Sequence, residues 1–201
     1  MGNVILKQDV IEAIRHGIYV ANMACAIGKE LELSDDMIKE LSIAGLFHDI
    51  GKLKLAKEVE DDTMVIQQLR AVRMHSELSY EILKEEGFSE FILDSIHHHH
   101  ENYDGSGYPD RLQGEDIPFG ARILRVCDVF IALTSDRAYR KSIEVDAAVS
   151  TMIEEAKNYD MKIMMAFLNV INSIDVNSVI KNNTTLAKID SKYIDLFEKN
   201  A

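Results

Sequence analysis

Residues 48–52 read HDIGK: a histidine and an aspartate side by side at the end of an apolar helical pattern, with a lysine three residues beyond the aspartate. Adjacent His48 and Asp49 suit a capping pair, a satisfied core histidine, or two ligands of one metal ion. The other six histidines are His16, His75 and the run His97–His100. Glu12 and His16 are four residues apart and lie within about 40° on one helical face. A carboxylate and an imidazole one turn apart make either a surface pair or two ligands of a divalent ion. Tyr19 and Met23 on the same face favour burial, where polar groups must be paired or ligated. On a helix His48 and Asp49 point about 100° apart. They can still converge on one ion at a helix terminus, or Asp49 can bridge two ions with its two oxygens. Carboxylate bridging holds ions roughly 3.5–4 Å apart in two-metal hydrolytic sites. His99 and His100 form a second adjacent pair. Asp128 sits in the apolar stretch VCDVFIAL, where a carboxylate serves either a salt bridge to an arginine or a metal. Histidine and carboxylate ligands drawn from five helices suit iron, manganese or zinc better than magnesium. His97 and His98 are left without a role.

The elements that must position these residues are helical. The chain has 201 residues, of which 47% are hydrophobic and 28% charged, enough for one well-filled core. A helix is expected from Val4 to Leu31, with Ile14, Ile18 and Ala21 on one stripe and Tyr19 and Met23 on another, as for an internal helix. Ser34, followed by Asp35 and Asp36, caps a second helix that carries Met37, Leu41, Ala44 and His48 on one side and stops at Gly51. Residues 53–75 read as a short loop and a helix. Ser76–Glu86 follows with Leu78, Ile82 and Leu83 inward, and Ser89 caps the next helix. DGSGYPDRLQGEDIP is a 15-residue loop, of a length that is usually functional in a compact domain. Pro118 opens the helix that carries Asp128. Further helices are expected near 143–157, 160–174 and 190–198. No strand pattern, repeat or linker is evident, so the expected fold is a single compact all-α domain over 1–201.

Composition excludes several classes of function. A net charge of −12 opposes broad binding to nucleic acid polymers or anionic lipid, although a few local cations can still hold a small phosphate ligand. No stretch approaches the roughly 20 apolar residues of a membrane helix, and no signal peptide is read. Cys25 and Cys127 form no CxxC, as expected of a reduced cytoplasmic protein.

His16, HDIGK at 48–52, His75, HHENYDGSGYP at 99–109, and Asp128 followed by ALTSDRAYR resemble, in this order, the HD-GYP domain of the HD superfamily. These are metal-dependent phosphohydrolases that open cyclic di-GMP. The resemblance covers about 10–170, leaving 171–201 as a C-terminal helical extension. It implies an HD-type helical domain with the metal site in the bundle core. His16, His48, Asp49, His75, His99, His100 and Asp128 would hold two divalent ions, iron or manganese foremost and zinc as an alternative. Glu12 stands where some members hold a third ion. Lys52 matches the lysine that contacts a substrate phosphate, and Arg137, Arg140 and Tyr108 match substrate-contacting positions. Asp104, Gly105, Gly107, Tyr108 and Pro109 form the GYP loop, implicated in the family in contacts with diguanylate cyclases.

The expected reaction is attack of a hydroxide, bridging two ions beside Asp49, on the phosphodiester, giving pGpG and then GMP. An HD-superfamily hydrolase of another nucleotide or cyclic dinucleotide, and a non-catalytic cyclic di-GMP-binding module, are the alternatives. The oligomeric state is open, a homodimer included. The chain departs from the family in several places. Residues 53–70 lack the proline and glycine of the usual lid segment, Ile131 replaces an aspartate, RAYR replaces RPYR, and Met161 replaces a proline. None removes a ligand. No sensor or receiver segment is read.

Overall fold

The computed structural model describes residues 10–58, 73–136, 141–173 and 191–200. Among them every regular element is helical: α1 (Val10–Glu30), α2 (Asp35–Phe47), α3 (Gly51–Glu58), α4 (His75–Glu85), α5 (Glu90–His97), α6 (Phe119–Thr134), α7 (Val145–Glu154), α8 (Met161–Ser173) and α9 (Ser191–Asn200). Single 3₁₀ turns lie at Gly114–Asp116 and Ala156–Asn158. None of these helices is long and apolar enough to cross a membrane.

The two serines expected to cap helices do so. The Ser34 hydroxyl accepts from the Met37 amide and the Ser89 hydroxyl from the Ile92 amide, each satisfying an N–H that the helix itself cannot bond. Helix α1 is buried on more than one side. Ile18, Val20, Ala21, Met23, Ala24 and Ile27 are all enclosed, and α1 packs against α2, α6 and α8. The centre of the core is Phe47, Phe130 and Phe167 with Met23, Leu41 and Leu83. Phe130 and Phe167 meet edge to face at 5.0 Å. The terminal helix α9 closes one flank by stacking Phe197 on Phe47 at 5.1 Å and setting Tyr193 edge-on at 5.3 Å.

The α1–α2 crossing fixes the first part of the site. A Cβ on Gly17 would meet the backbone carbonyl of Leu46, and one on Gly45 would meet the backbone of Ala21. Two hydrogen side chains therefore let the helices touch backbone to backbone, which sets His16 and His48 facing each other with ring centroids 5.1 Å apart.

Three expectations are corrected. Gly51 does not stop a helix; it begins α3 after a tight turn in which Ile50 N bonds Phe47 O and Lys52 N bonds Asp49 O, both at 3.0 Å. Its small size matters for another reason, since a Cβ there would strike the backbone of His75 and Ser79. The segment after it is thus helical to Glu58 instead of a loop; residues 59–72 lie outside the described residues. Helix α4 begins at His75, and its inward face is His75, Ser76, Ser79, Ile82 and Leu83, with Leu78 half-buried. The face is turned because the Ser79 hydroxyl accepts from Gly51 N at 2.9 Å and donates to His48 O at 3.0 Å. That polar clamp docks α4 beneath the α2–α3 turn.

Candidate metal centre

Both adjacent pairs occupy the turn just beyond a helix. His48 follows α2, and its Nδ1 donates to the Gly45 carbonyl at 2.8 Å. His99 follows α5, and its Nδ1 donates to the Ile96 carbonyl at 2.6 Å. Each ring thereby satisfies a carbonyl that the helix end leaves open. In the neutral ring the same bond fixes the tautomer, with Nε2 unprotonated and pointed inward, as ligating histidines are commonly held.

Asp49 is the hinge of the arrangement. Its Oδ1 lies 3.2 Å from His75 Nε2 and 3.9 Å from His99 Nε2. Its Oδ2 lies 3.4 Å from His48 Nε2 and 3.8 Å from His16 Nε2. On the first side His75 Nε2 is also 3.3 Å from His99 Nε2 and 3.0 Å from His100 Nε2. On the second side Asp128 Oδ1 lies 3.1 Å from His16 Nε2 and 3.7 Å from His48 Nε2. The ligating atoms thus fall into two groups that share Asp49: with His75, His99 and His100, and with His16 and His48.

The groups fit divalent ions. Ligands 2.0–2.2 Å from a tetrahedral ion stand about 3.4 Å from one another, and the spacings on the first side scatter around that value. Hydrogen bonding alone does not account for three imidazole nitrogens converging. His48 Nε2 and Asp49 Oδ1 are buried with no hydrogen-bond partner among the described residues, a costly state unless a cation meets them.

Electrostatics agrees. Burial pushes the Asp49 and Asp128 carboxyls up, yet both are held well below the ordinary carboxylate value, Asp49 by the charges of His48 and Lys52 and Asp128 by hydrogen bonds and charge from His16 and His48. Burial lowers His16, and lowers His99 and His100 strongly with help from neighbouring imidazoles, so their lone pairs stay free. His48 is the exception: burial pulls it down, but the Asp49 charge and contacts with Asp128 carry it up to about 10. Two ionised carboxylates and the neutral imidazoles of His16, His99 and His100, gathered in one buried pocket, form a site for divalent cations.

Residues 4–163 match the HD domain family. The chain belongs to the HD domain family. The HDIGK and HHENYDGSGYP segments mark this HD domain as the HD-GYP form. Among its relatives, a cyclic di-GMP phosphodiesterase of Pseudomonas aeruginosa is 32% identical, the match covering 83% of this chain and 41% of that protein. A 3′3′-cGAMP-specific phosphodiesterase of Vibrio cholerae is 33% identical over 77% of this chain and 38% of its own length. Solved structures share the fold. A cyclic GMP-AMP specific phosphodiesterase of V. cholerae superposes with a TM-score of 0.65 at 18% identity, covering 92% of this chain and 53% of that one. An HD-GYP-type protein of Bdellovibrio bacteriovorus gives 0.64 at 18% identity over 80% and 53%. The chain thus spans half or less of the curated relatives named here.

Around the ligand groups, the HD domain places the other expected residues unevenly. Glu12 is exposed on the first turn of α1 and belongs to neither ligand group. Lys52 is in the first turn of α3 with Nζ 2.6 Å from Asp49 Oδ2, so it is not a cation at a helix C-terminus. Tyr108 stacks on His100 with centroids 4.8 Å apart, and the Arg73 guanidinium lies 5.5 Å from its ring centroid. Burial, with the charges of Asp49 and Asp128, pushes the Tyr108 hydroxyl up, so it stays a phenol. The remaining loop residues are structural. The Asp104 carboxylate accepts from Ser106 N and Oγ at 3.0 and 2.6 Å, Gly105 takes a φ of +81°, and Gly107 passes against the backbone of His100–Asn102. Pro109 is exposed. Arg137 and Arg140 lie outside the described residues.

The sequence reading missed Glu101, whose Oε1 accepts from Asp110 N at 2.7 Å and pins the loop. It missed Arg125, whose Nε donates to Asn102 Oδ1 at 3.0 Å, and Arg73. Glu101 directly follows His100, a position that could have signalled it. The two arginines become neighbours of the site only through tertiary packing.

Proposed function

We propose that this HD domain is a metal-dependent phosphodiesterase that opens cyclic di-GMP to linear pGpG, with GMP as the product of a second cut. The observation that carries the reading is Asp49, whose two oxygens are aimed into two separate groups of histidines. The relatives' cyclic dinucleotide substrates support it.

Bound ions would supply Lewis-acid polarisation of the phosphoryl group and lower the pKa of a water for in-line attack. His75, His99, His100 and Asp49 Oδ1 would hold one ion; His16, His48, Asp128 and Asp49 Oδ2 would hold the other. The mixed nitrogen and oxygen donors suit iron or manganese first, with zinc as the alternative. A third ion would require the exposed Glu12 side chain to turn toward His16. Lys52 places an ammonium beside the shared carboxylate, within reach of a non-bridging phosphoryl oxygen, where it offsets charge developing in the transition state. Attack by the water forms a P–O bond and breaks the bond to the 3′-oxygen, and the proton the water gives up balances the one the leaving 3′-oxygen takes. Tyr108, held as a phenol against His100, would be a donor to the bound dinucleotide. Arg137 and Arg140 would be the further phosphate-binding residues. The exposed outer edge of the loop is where a diguanylate cyclase would dock, and the setting is cytoplasmic.

The 33% identity to a cGAMP-specific enzyme favours 3′3′-cGAMP as the second candidate substrate. Incubating iron- and manganese-loaded protein with each dinucleotide and separating the products by chromatography tests the reading. Linear pGpG is expected; intact substrate recovered from protein that binds it and carries both ions would instead indicate a binding module.

A further inference from the structure

His97 and His98, which the buried centre does not use, meet Asp110 on the outer side of α5. His98 Nε2 is 3.0 Å from Asp110 Oδ2 and His97 Nε2 is 3.9 Å from the same oxygen. The three ligating atoms all lie within 4.8 Å of one another. His98 Nδ1 donates to the Asp94 carbonyl at 3.0 Å. This repeats, at the surface, the tether that orients His48 and His99. His97 packs edge-on against Tyr80 at 5.1 Å, and its Nδ1 is buried with no hydrogen-bond partner among the described residues. The imidazole centroids are 4.6 Å apart. A simple ion pair between His98 and Asp110 leaves His97 unexplained. The Asp110 side chain is 57% exposed, so a fourth position faces solvent.

We propose that His97, His98 and Asp110 form a second metal site, facing solvent, for a borderline divalent ion such as Zn²⁺. Two imidazoles, one carboxylate and a water match that ion's preferred donors and number. The site is separate from the buried centre and stands whether or not the chain cleaves cyclic dinucleotides. Its position gives it a consequence. Asp110 follows Tyr108 and Pro109, its amide is already held by Glu101, and Tyr108 stacks on His100. An ion joining Asp110 to the end of α5 pins the loop at a second point, two residues from the ring that covers the buried centre.

The test uses the metal-loaded 201-residue chain dialysed against Zn²⁺ alone, with bound zinc counted by elemental analysis. Wild type is expected to take up one equivalent more than Asp110→Asn, His97→Gln or His98→Gln, each variant binding that equivalent about tenfold or more weakly. Zinc exchange at the buried centre is common to all four proteins and cancels in the comparison. Thermal melts without zinc check that the variants fold, which Asp110→Asn at an exposed position should do unchanged. Hydrogen exchange of the 104–110 amides should slow on adding zinc to wild type and not to Asp110→Asn. Equal zinc uptake by all four overturns the site, and so does a His97→Gln protein that binds zinc like wild type.

Discussion

Lys52 Nζ sits 2.6 Å from Asp49 Oδ2, so the aspartate that faces both histidine groups also carries an ammonium, on the oxygen turned toward His16 and His48. The contact places a part-buried cation at the edge of the candidate centre. Lys52→Met should therefore lower kcat by about 10²–10³-fold, the usual cost of losing one charge-stabilising donor, while both ions stay bound. Steady-state kinetics with parallel metal analysis checks this. Loss of metal in proportion to activity would reduce Lys52 to a structural partner of Asp49.

Asp49→Ala should abolish turnover and lower bound metal together, because both groups lose their shared oxygen ligand. His75→Ala should empty chiefly the group it shares with His99 and His100. Metal stoichiometry of the two variants distinguishes a shared ligand from a peripheral one, and unchanged stoichiometry in Asp49→Ala would contradict the bridging geometry.

Gly17→Ala should destabilise the fold by about 1–3 kcal/mol, the usual cost of forcing volume into a packed interface. That corresponds to a fall in Tm of about 2–4 °C per kcal/mol for a chain of this size. The added methyl has only the backbone of Leu46 to push against, so α1 and α2 must separate, carrying His16 away from His48. Calorimetry measures the first effect, and weakened metal binding by a variant that still folds measures the second.

Stability of the chelator-treated protein should peak near pH 6.5. His48, raised to about 10, contributes stability that is fully present below its ordinary value of 6.5 and is lost as pH climbs through 10. His16, His99 and His100 are lowered, so below 6.5 the unfolded chain takes up protons that the folded one refuses. Asp49 and Asp128, lowered from 3.8, add a further loss in stronger acid. Thermal melts across pH 5–10 should show the peak, and His48→Gln should flatten its alkaline side. Metal-loaded protein should melt higher at neutral pH.

Much of the candidate centre is legible in the sequence because its candidate ligands come in short, recognisable pairs. HDIGK and HHENYDGSGYP each carry two of them, and helical periodicity around them is plain. The contacts between elements are not. Nothing local tells that Gly17 and Gly45 lie against neighbouring backbone, or that Ser79 will clamp the turn after His48, since each depends on how two helices cross. Gly51 misled for a related reason. A glycine after an apolar helix usually marks its end, but here it is small because another helix runs into it. His97 and His98 have no role legible in the sequence, because Asp110 meets them only through the fold of the loop it belongs to.

The tethers from His48 to Gly45 and from His99 to Ile96 use main-chain carbonyls as anchors. The aim of those two rings is therefore inherited from the course of the peptide chain and not from any particular neighbour. Whatever shifts either helix end, the glycine contacts and the Ser79 clamp included, would therefore re-aim a ring without touching it.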